Sequence, residues 1–138
     1  MPALDRFHHA VRNALVKDGW TITHEPYVLT TKSRTLFVDL GAEFVLGAEK
    51  STQKIAVEIK TFAGKSEVAD LESAIGQFIV YRSTMRRHDP DRQLYLAVPQ
   101  AALSGIFTEE VGLNLIEDGL VLLIGYDPTS EVITKWIP

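Results

Sequence analysis

Residues 35–62 read TLFVDLGAEFVLGAEKSTQKIAVEIKTF, two apolar runs separated by a short polar connection. The runs at 35–46 and 54–62 contain many β-branched and aromatic residues, which favour strands. The segment GAEKSTQ between them is typical of a hairpin connection, although it lacks a diagnostic two-residue turn. We therefore expect two antiparallel strands, the first of which can bend at Gly41.

Charged side chains interrupt this apolar pair of strands. Glu58 and Lys60 share one face of the second strand because side chains alternate across a strand. Asp39 lies in the middle of the first strand, and a turn centred on 48–49 brings it opposite Glu58. Glu43 has the same parity, and a turn centred two residues later brings it opposite Glu58 instead. Both acids therefore remain candidate partners of Glu58.

Burying these charges is costly unless they are paired or bind a metal ion. Two carboxylates and one lysine leave a surplus negative charge, which a divalent cation would neutralise. The chain has no cysteine, and oxygen ligands suit Mg2+ or Mn2+. Such an ion activates a bound water and polarises a phosphoryl oxygen, while Lys60 would orient that water or stabilise developing charge. The pattern favours phosphodiester hydrolysis, with a plain cross-strand salt bridge as the alternative.

A long amphipathic helix is predicted after the second strand, capped by Ser66 and running to about Arg87. Gln77 and Tyr81 lie one turn apart on the flank of its apolar stripe, where they either support the site or satisfy hydrogen bonds at the helix–sheet interface. The basic end of the helix suits either DNA phosphates or the helix C-terminus itself. The candidate DNA contacts are Arg82, Arg86 and Arg87. The stripe expected to be buried consists of Val68, Leu71, Ile75, Phe78, Ile79 and Met85.

The remaining segments supply further helices and strands around this unit. The predicted elements are a helix at 3–18, strands at 20–29 and 93–98, one or two short helices within 101–118, and a hairpin of strands at 120–126 and 131–137. Pro26 indicates an edge or a bulge in the strand that contains it. We therefore expect an α/β fold with a mixed β-sheet flanked by helices, in one domain spanning residues 1–138.

The composition is that of an ordinary globular protein, with 46% hydrophobic and 23% charged residues. No apolar run is long enough to cross a bilayer or to form the core of a secretion signal. We therefore expect a soluble, cytoplasmic protein that makes no membrane contact. The net charge of −4 means that any contact with DNA requires a local positive patch.

The charged set resembles the active site of the PD-(D/E)xK nuclease superfamily, which has the restriction-endonuclease-like fold. The motif of that superfamily is an acid on one strand and E-x-K on the next, here Asp39 in FVDLG and Glu58-Ile59-Lys60 in VEIK. Val38 stands where strict members have proline. The resemblance implies that the side chains of Asp39 and Glu58 and the backbone carbonyl of Ile59 bind the metal ion.

Two helices extend this resemblance. The spacing of Gln77 and Tyr81 is similar to the Q-x-x-x-Y motif of the RecB-like branch. Nuclease folds of this kind often place an accessory acid on the first helix, where Asp5 precedes His8 and His9. The spacing of those three residues makes them a candidate metal-binding face. His8 also follows the apolar stripe of the helix, which favours a histidine at the edge of the core.

Nearly the whole chain resembles the XisH family, the fdxN element excision controlling factors. The resembling segments are DGWTITHEPY, VDLGAEF, KIAVEIKTF, IGQFIVYR, DRQLYLAVP and LIGYDPTSEVITKWI. The resemblance implies a role in programmed excision of a DNA element, beside a site-specific recombinase and with a small partner protein of the XisI type. It is compatible with a metal-dependent nuclease, with a nuclease regulated by the small partner, and with a non-enzymatic accessory factor that acts through DNA or a partner. The apolar C-terminal hairpin would then be internal core, a homodimer surface or the partner site.

Overall fold

The computed structural model describes residues 5–47 and 51–138. Its helices and strands, in chain order, are α1 (His8–Lys17), β1 (Thr21–His24), β2 (Tyr27–Thr30), β3 (Thr35–Val38), β4 (Leu40–Leu46), β5 (Ser51–Ile59), α2 (Glu67–His88), β6 (Arg92–Pro99), α3 (Gln100–Ser104), α4 (Glu110–Glu117), β7 (Leu123–Asp127) and β8 (Val132–Ile137). A 3-10 turn at Ile106–Thr108 joins α3 to α4. The helix predicted at 3–18 is observed as α1, which begins only at His8, so the predicted start is wrong at residues 5–7; the first two residues of the predicted range lie outside the described part of the chain.

Six strands form one sheet in the order β1-β4-β5-β6-β7-β8, and β2 and β3 form a separate two-stranded sheet. Strands β5, β6 and β7 run parallel, whereas β4 pairs antiparallel with β5 and β8 pairs antiparallel with β7. Helix α2 connects β5 to β6, because a parallel pair needs a long crossover. The prediction of a mixed sheet flanked by helices is confirmed.

Two predicted strands are each divided in the structure. The continuous strand predicted at 20–29 is wrong, because the chain divides at Glu25–Pro26, whose peptide bond is cis. The strand predicted at 35–46 divides at Asp39 and not at Gly41. In both cases the two halves pair with different strands: β1 with β4, β2 with β3, and β4 also with β5. The change of pairing partner explains both breaks.

Strand β5 begins and ends earlier than the predicted range of 54–62. Lys60 therefore lies just past the end of the strand, but its backbone N–H still donates to the carbonyl oxygen of Ala97 at 3.0 Å. The backbone thus remains paired with β6 as far as Lys60. At the C-terminus the predicted short helices and hairpin are observed, with β7 beginning at Leu123.

The large sheet has a hydrophobic core on each face. Helix α2 covers one face, where Phe78 packs with Ala56 of β5. Helix α1 covers the other face, where the core includes Ile55, Val57 and Ile59 of the same strand. The alternation predicted for this strand is therefore confirmed, and it turns the odd-numbered side chains away from α2.

Helix α2 is positioned by its cap and by one apolar line. The Ser66 side chain accepts a hydrogen bond from the N–H of Ala69 at 3.2 Å, which confirms the predicted cap. The buried members of the predicted stripe are Leu71, Ile75, Phe78 and Met85. The predicted burial of Val68 and Ile79 is wrong, since 48% and 39% of these residues are exposed beside the line that meets the sheet. No helix in the described ranges is long and apolar enough to cross a bilayer.

Candidate active site

The register of β4 against β5 decides which acid faces Glu58. Leu40 pairs with Val57, so the same register carried one residue further sets Asp39 opposite Glu58. Glu43 pairs with Lys54 instead. The residues expected at the centre of the turn, 48–49, lie outside the described residues, but the pairing on both sides of them has the register that favours Asp39.

Hydrogen bonds hold Asp39 and Glu58 together at the break between β3 and β4. The backbone N–H of Asp39 lies 3.3 Å from Oε1 of Glu58 and donates to it. In return the backbone N–H of Ile59 donates to Oδ2 of Asp39 at 2.8 Å. Because strand pairing is interrupted at Asp39, its N–H is available to a side chain. The break that sequence patterns did not predict therefore fixes the geometry of the acid pair.

The two carboxyl groups are held in an environment that disfavours their charge. Glu58 is only 8% exposed, and Asp39 is half-buried. Burial raises the pKa of Glu58 well above its ordinary value, and the neighbouring charge of Asp39 raises this pKa further, whereas Lys60 opposes the shift. Burial also raises the pKa of Asp39, despite the hydrogen bond from Ile59. A proton shared between the two carboxyl groups, or a bound cation, would therefore stabilise the pair.

Lys60 lies beside the acid pair, and its ammonium forms no salt bridge with another described residue. Its side chain is half-buried, and its Nζ lies 3.4 Å from Oγ of Ser73 on α2. Within 5–47 and 51–138, none of the ion pairs closer than 4.0 Å includes Lys60. The predicted alternative, a plain cross-strand salt bridge, is therefore not the arrangement that the structure has.

One face of α2 runs past these groups. Ser73, Gln77 and Tyr81 are spaced four residues apart and share that face. Tyr81 is half-buried, and burial together with the charges of Glu58 and Asp39 raises its pKa, so its hydroxyl lies within their electrostatic reach. The Gln77 side chain is exposed, and it takes part in no hydrogen bond among the described residues.

Ser73 is a member of this face that the sequence reasoning did not single out. The available signal was its position one turn before Gln77, on the same side of the helix as the Q-x-x-x-Y pair. Its contact with Lys60 could not be anticipated without knowing how α2 crosses the sheet.

Two residues near the start of α1 lie within electrostatic reach of Asp39. The charge of Asp5 raises the pKa of Asp39, and that of His8 lowers it. Asp5 itself accepts hydrogen bonds from the hydroxyl of Thr61 and from the N–H of Phe7. His8 is buried, with Nε2 2.7 Å from Oε2 of Glu25, as the core-edge interpretation predicts.

The residues present fit a divalent ion that retains much of its water. Among the described residues, no group of three or more acidic or histidine side chains is arranged to hold a metal ion. Asp5, His8 and His9 therefore do not form the metal-binding face considered from their spacing. Asp39 and Glu58 supply two carboxyl groups whose charged forms are disfavoured by burial and would be stabilised by a cation, and oxygen ligands of this kind suit Mg2+ or Mn2+ with several waters retained.

The three arginines expected to contact DNA do not lie together. Arg82 and Arg86 line a cavity at the far end of α2, together with Arg92. The guanidinium of Arg87 instead donates to the carbonyl oxygen of Ser83, in its own helix, at 2.9 Å. Arg82, Arg86 and Arg92 therefore border one cavity, which Arg87 does not line.

Known proteins are similar to this chain over nearly its whole length. A family model described as XisH protein matches residues 1–134. The crystal structure of an XisH family protein from Nostoc punctiforme PCC 73102 has a TM-score of 0.86 at 38% identity, covering 97% of this chain and 100% of that one. The crystal structure of a fdxN element excision controlling factor protein from Anabaena variabilis has a TM-score of 0.84 at 38% identity, covering 96% of this chain and 98% of that one. No curated protein matches. The resemblance to the XisH family that was inferred from the sequence is confirmed, and the chain belongs to that family.

Proposed function

We propose that this chain is a divalent-metal-dependent, DNA-acting nuclease domain of the PD-(D/E)xK type. The observation that carries the proposal is the buried pair of Asp39 and Glu58, whose raised pKa values indicate uncompensated negative charge. Lys60 lies next to the pair and has no carboxylate partner among the described residues. An arrangement that served stability alone would gain nothing from crowding two acids in this way.

The side chains of the site have separate roles in this proposal. Asp39 and Glu58 would hold Mg2+ or Mn2+, with the backbone carbonyl of Ile59 as a third ligand. The bound ion supplies Lewis acidity and a water of lowered pKa. The ammonium of Lys60 stabilises the negative charge that develops on the scissile phosphate. Gln77 and Tyr81 border the approach to the pair along α2 and support the site.

The biological setting is proposed from the relatives. The Anabaena variabilis protein is named a fdxN element excision controlling factor and is 38% identical to this chain. We extend that role to this chain, as a factor that acts in the cytoplasm on DNA during programmed rearrangement. It would work beside a site-specific recombinase, which it affects indirectly, and together with a small partner protein of the XisI type.

Plasmid cleavage tests the nuclease proposal. Purified protein is incubated with supercoiled plasmid and Mn2+ or Mg2+, beside the Lys60→Ala variant and a matched Lys17→Ala control. Lys17 is exposed on α1, where its Nζ contacts the Ser130 carbonyl oxygen and not the acid pair. Metal-dependent nicking that Lys60→Ala loses and Lys17→Ala retains is the expected result. Equal background in all three proteins would remove the nuclease proposal.

A second candidate function is that of a non-enzymatic accessory factor that acts through a protein partner. It is favoured by a cavity of about 780 Å3 with a mainly apolar lining, beside the edge strand β8. The apolar side chains that line it are Leu103, Phe107, Leu113, Ile116, Trp136 and Ile137. An unpaired sheet edge next to an apolar cavity suits either the small partner or a second copy of this chain.

Leu113 offers a test of this second function, because it is exposed at 41% and lines the cavity. Leu113→Glu should abolish co-purification with the small XisI-type protein while leaving the thermal unfolding midpoint unchanged. Exposed Val16→Glu on α1 is the matched control. A complex that tolerates Leu113→Glu would show that the partner binds elsewhere.

A further inference from the structure

A cavity lies at the amino end of the parallel strands, apart from the acid pair. It has a volume of about 340 Å3 and is lined in part by Arg82 and Arg86 of α2 and by Arg92 of β6. In the pairing of β5 with β6, Glu58 faces Leu96, four residues beyond Arg92. At roughly 3.3 Å per residue, the cavity is therefore about 13 Å from the carboxylates along the strand.

Arg92 gives this cavity a rigid wall. The residue is 7% exposed, and its guanidinium donates to Asp89 at 3.0 Å and to the carbonyl oxygen of Ile55 at 2.8 Å. It also lies over the ring of Tyr27, 4.7 Å from the centroid, and approaches Glu43 at 3.9 Å. Its charge is thus compensated within the fold.

The other two guanidinium groups have no carboxylate partner among the described residues, and Arg82 lies over the ring of Phe78, 5.2 Å from the centroid. Neither Arg82 nor Arg86 forms a salt bridge among the described residues, and no acidic side chain is among those that line the cavity. Arg82 donates only to the carbonyl oxygen of Gly119, at 3.3 Å. Partial burial and the positive charge of Arg86 lower the pKa of Arg82. Two guanidinium groups without a carboxylate partner among the described residues therefore face one partly enclosed space.

The floor of the cavity is apolar. It includes Met85 and Leu94, which are 1% and 2% exposed, and Leu122. A guanidinium pair suits the oxygens of a phosphate group, and an apolar floor suits a planar base. The volume is within the range of sites for small ligands.

We propose that this cavity binds a nucleotide, with its phosphate between Arg82 and Arg86 and its base against the half-buried apolar side chain of Leu122. The nucleotide is either free or part of a nucleic acid strand, since the recognised chemistry is the same. The site does not depend on hydrolysis at the acid pair, because it contains neither Asp39 nor Glu58 and needs no metal ion.

Binding is measured on the full chain by two-dimensional amide NMR. EDTA is present so that no divalent ion binds at the acid pair. The probes are inorganic phosphate, a deoxynucleoside monophosphate, and a short DNA duplex with and without a 5′-phosphate. The variants are Arg82→Ala and Arg86→Ala, with Arg87→Ala as the control of equal charge on the same helix. Arg87 contacts Ser83 and does not line the cavity.

The monophosphate should shift the amide signals of Gln93, Gly119 and Leu122. Arg82→Ala and Arg86→Ala should each weaken its affinity by about tenfold or more, and Arg87→Ala by about twofold at most. Preference for the monophosphate over the duplexes identifies a free nucleotide, and preference for the 5′-phosphorylated duplex identifies a strand end; both support the site. Failure of every probe to shift these signals, equal losses in all three variants, or a monophosphate that binds no better than inorganic phosphate would overturn the proposal.

Discussion

The backbone N–H of Asp39 lies 3.3 Å from the Oε1 atom of Glu58, so the second acid is bound to the main chain of the first. Two carboxyl groups that are fixed in this way cannot separate to relieve their repulsion. Burial raises the pKa of both residues, and the neighbouring charge of Asp39 raises the pKa of Glu58 further. The stability of the metal-free fold should therefore depend on pH in a direction that can be calculated.

Metal-free protein should become less stable as the pH rises above about 4.3, the ordinary pKa of a glutamate carboxyl. The folded chain retains protons at Glu58 and Asp39 that the unfolded chain has already released, and stability falls with pH wherever the folded state binds more protons. Glu58→Gln should flatten this slope. Urea unfolding in EDTA, from about pH 5 to about pH 8, measures it.

Glu43→Gln is the control for this series, because Glu43 has the same strand parity but faces Lys54. Its slope should match that of the wild type. The excess slope lost in Glu58→Gln should be at most about 1.4 kcal/mol per pH unit for each proton retained. If stability depends on pH in the same way in the wild type and in Glu58→Gln, the pKa of Glu58 is not raised in the folded protein.

Ser73→Ala tests whether α2 positions Lys60. The Nζ···Oγ distance of 3.4 Å and the exposure of Ser73 indicate a weak hydrogen bond. Plasmid cleavage should fall by about two- to fivefold, with metal affinity unchanged. Ser83→Ala removes the same hydroxyl from the same helix at a site that contacts Arg87, and it should leave cleavage unaltered. Equal cleavage rates in the two variants would show that Ser73 does not position Lys60.

Phe78→Ala and Ile79→Ala test which line of α2 meets the sheet. Phe78 is 0% exposed, so its truncation should lower the free energy of unfolding by about 3–5 kcal/mol. Ile79 is 39% exposed, and its truncation should lower it by about 1 kcal/mol or less. Denaturant titration compares the two, and similar losses would contradict the observed orientation of the helix.

Local patterns were sufficient to predict the elements that depend on near neighbours. The period-two alternation of β5 predicted which of its side chains face α2, and Ser66 predicted where that helix begins. The position of Asp39 opposite Glu58 was one of two registers that parity allows. The strand pairing selects it by setting Glu43 against Lys54 instead.

Features that depend on distant segments could not be predicted in the same way. The break at Asp39 arises because β3 pairs with β2 whereas β4 pairs with β5, and local propensity does not specify that change of partner. The arginine cavity needs Gly119, which is 37 residues from Arg82 in the sequence. The burial of Arg92 could not be predicted either, since it depends on contacts with Tyr27 and Asp89.

Calorimetric titration of Mn2+ into the protein tests the central proposal that Asp39 and Glu58 together hold a divalent ion. The wild type and Glu43→Gln should bind one ion with equal affinity, and binding should release protons because both carboxyl groups have raised pKa values. Asp39→Asn and Glu58→Gln should each abolish it. Binding that survives both substitutions, or the absence of binding by folded wild-type protein, would contradict the account.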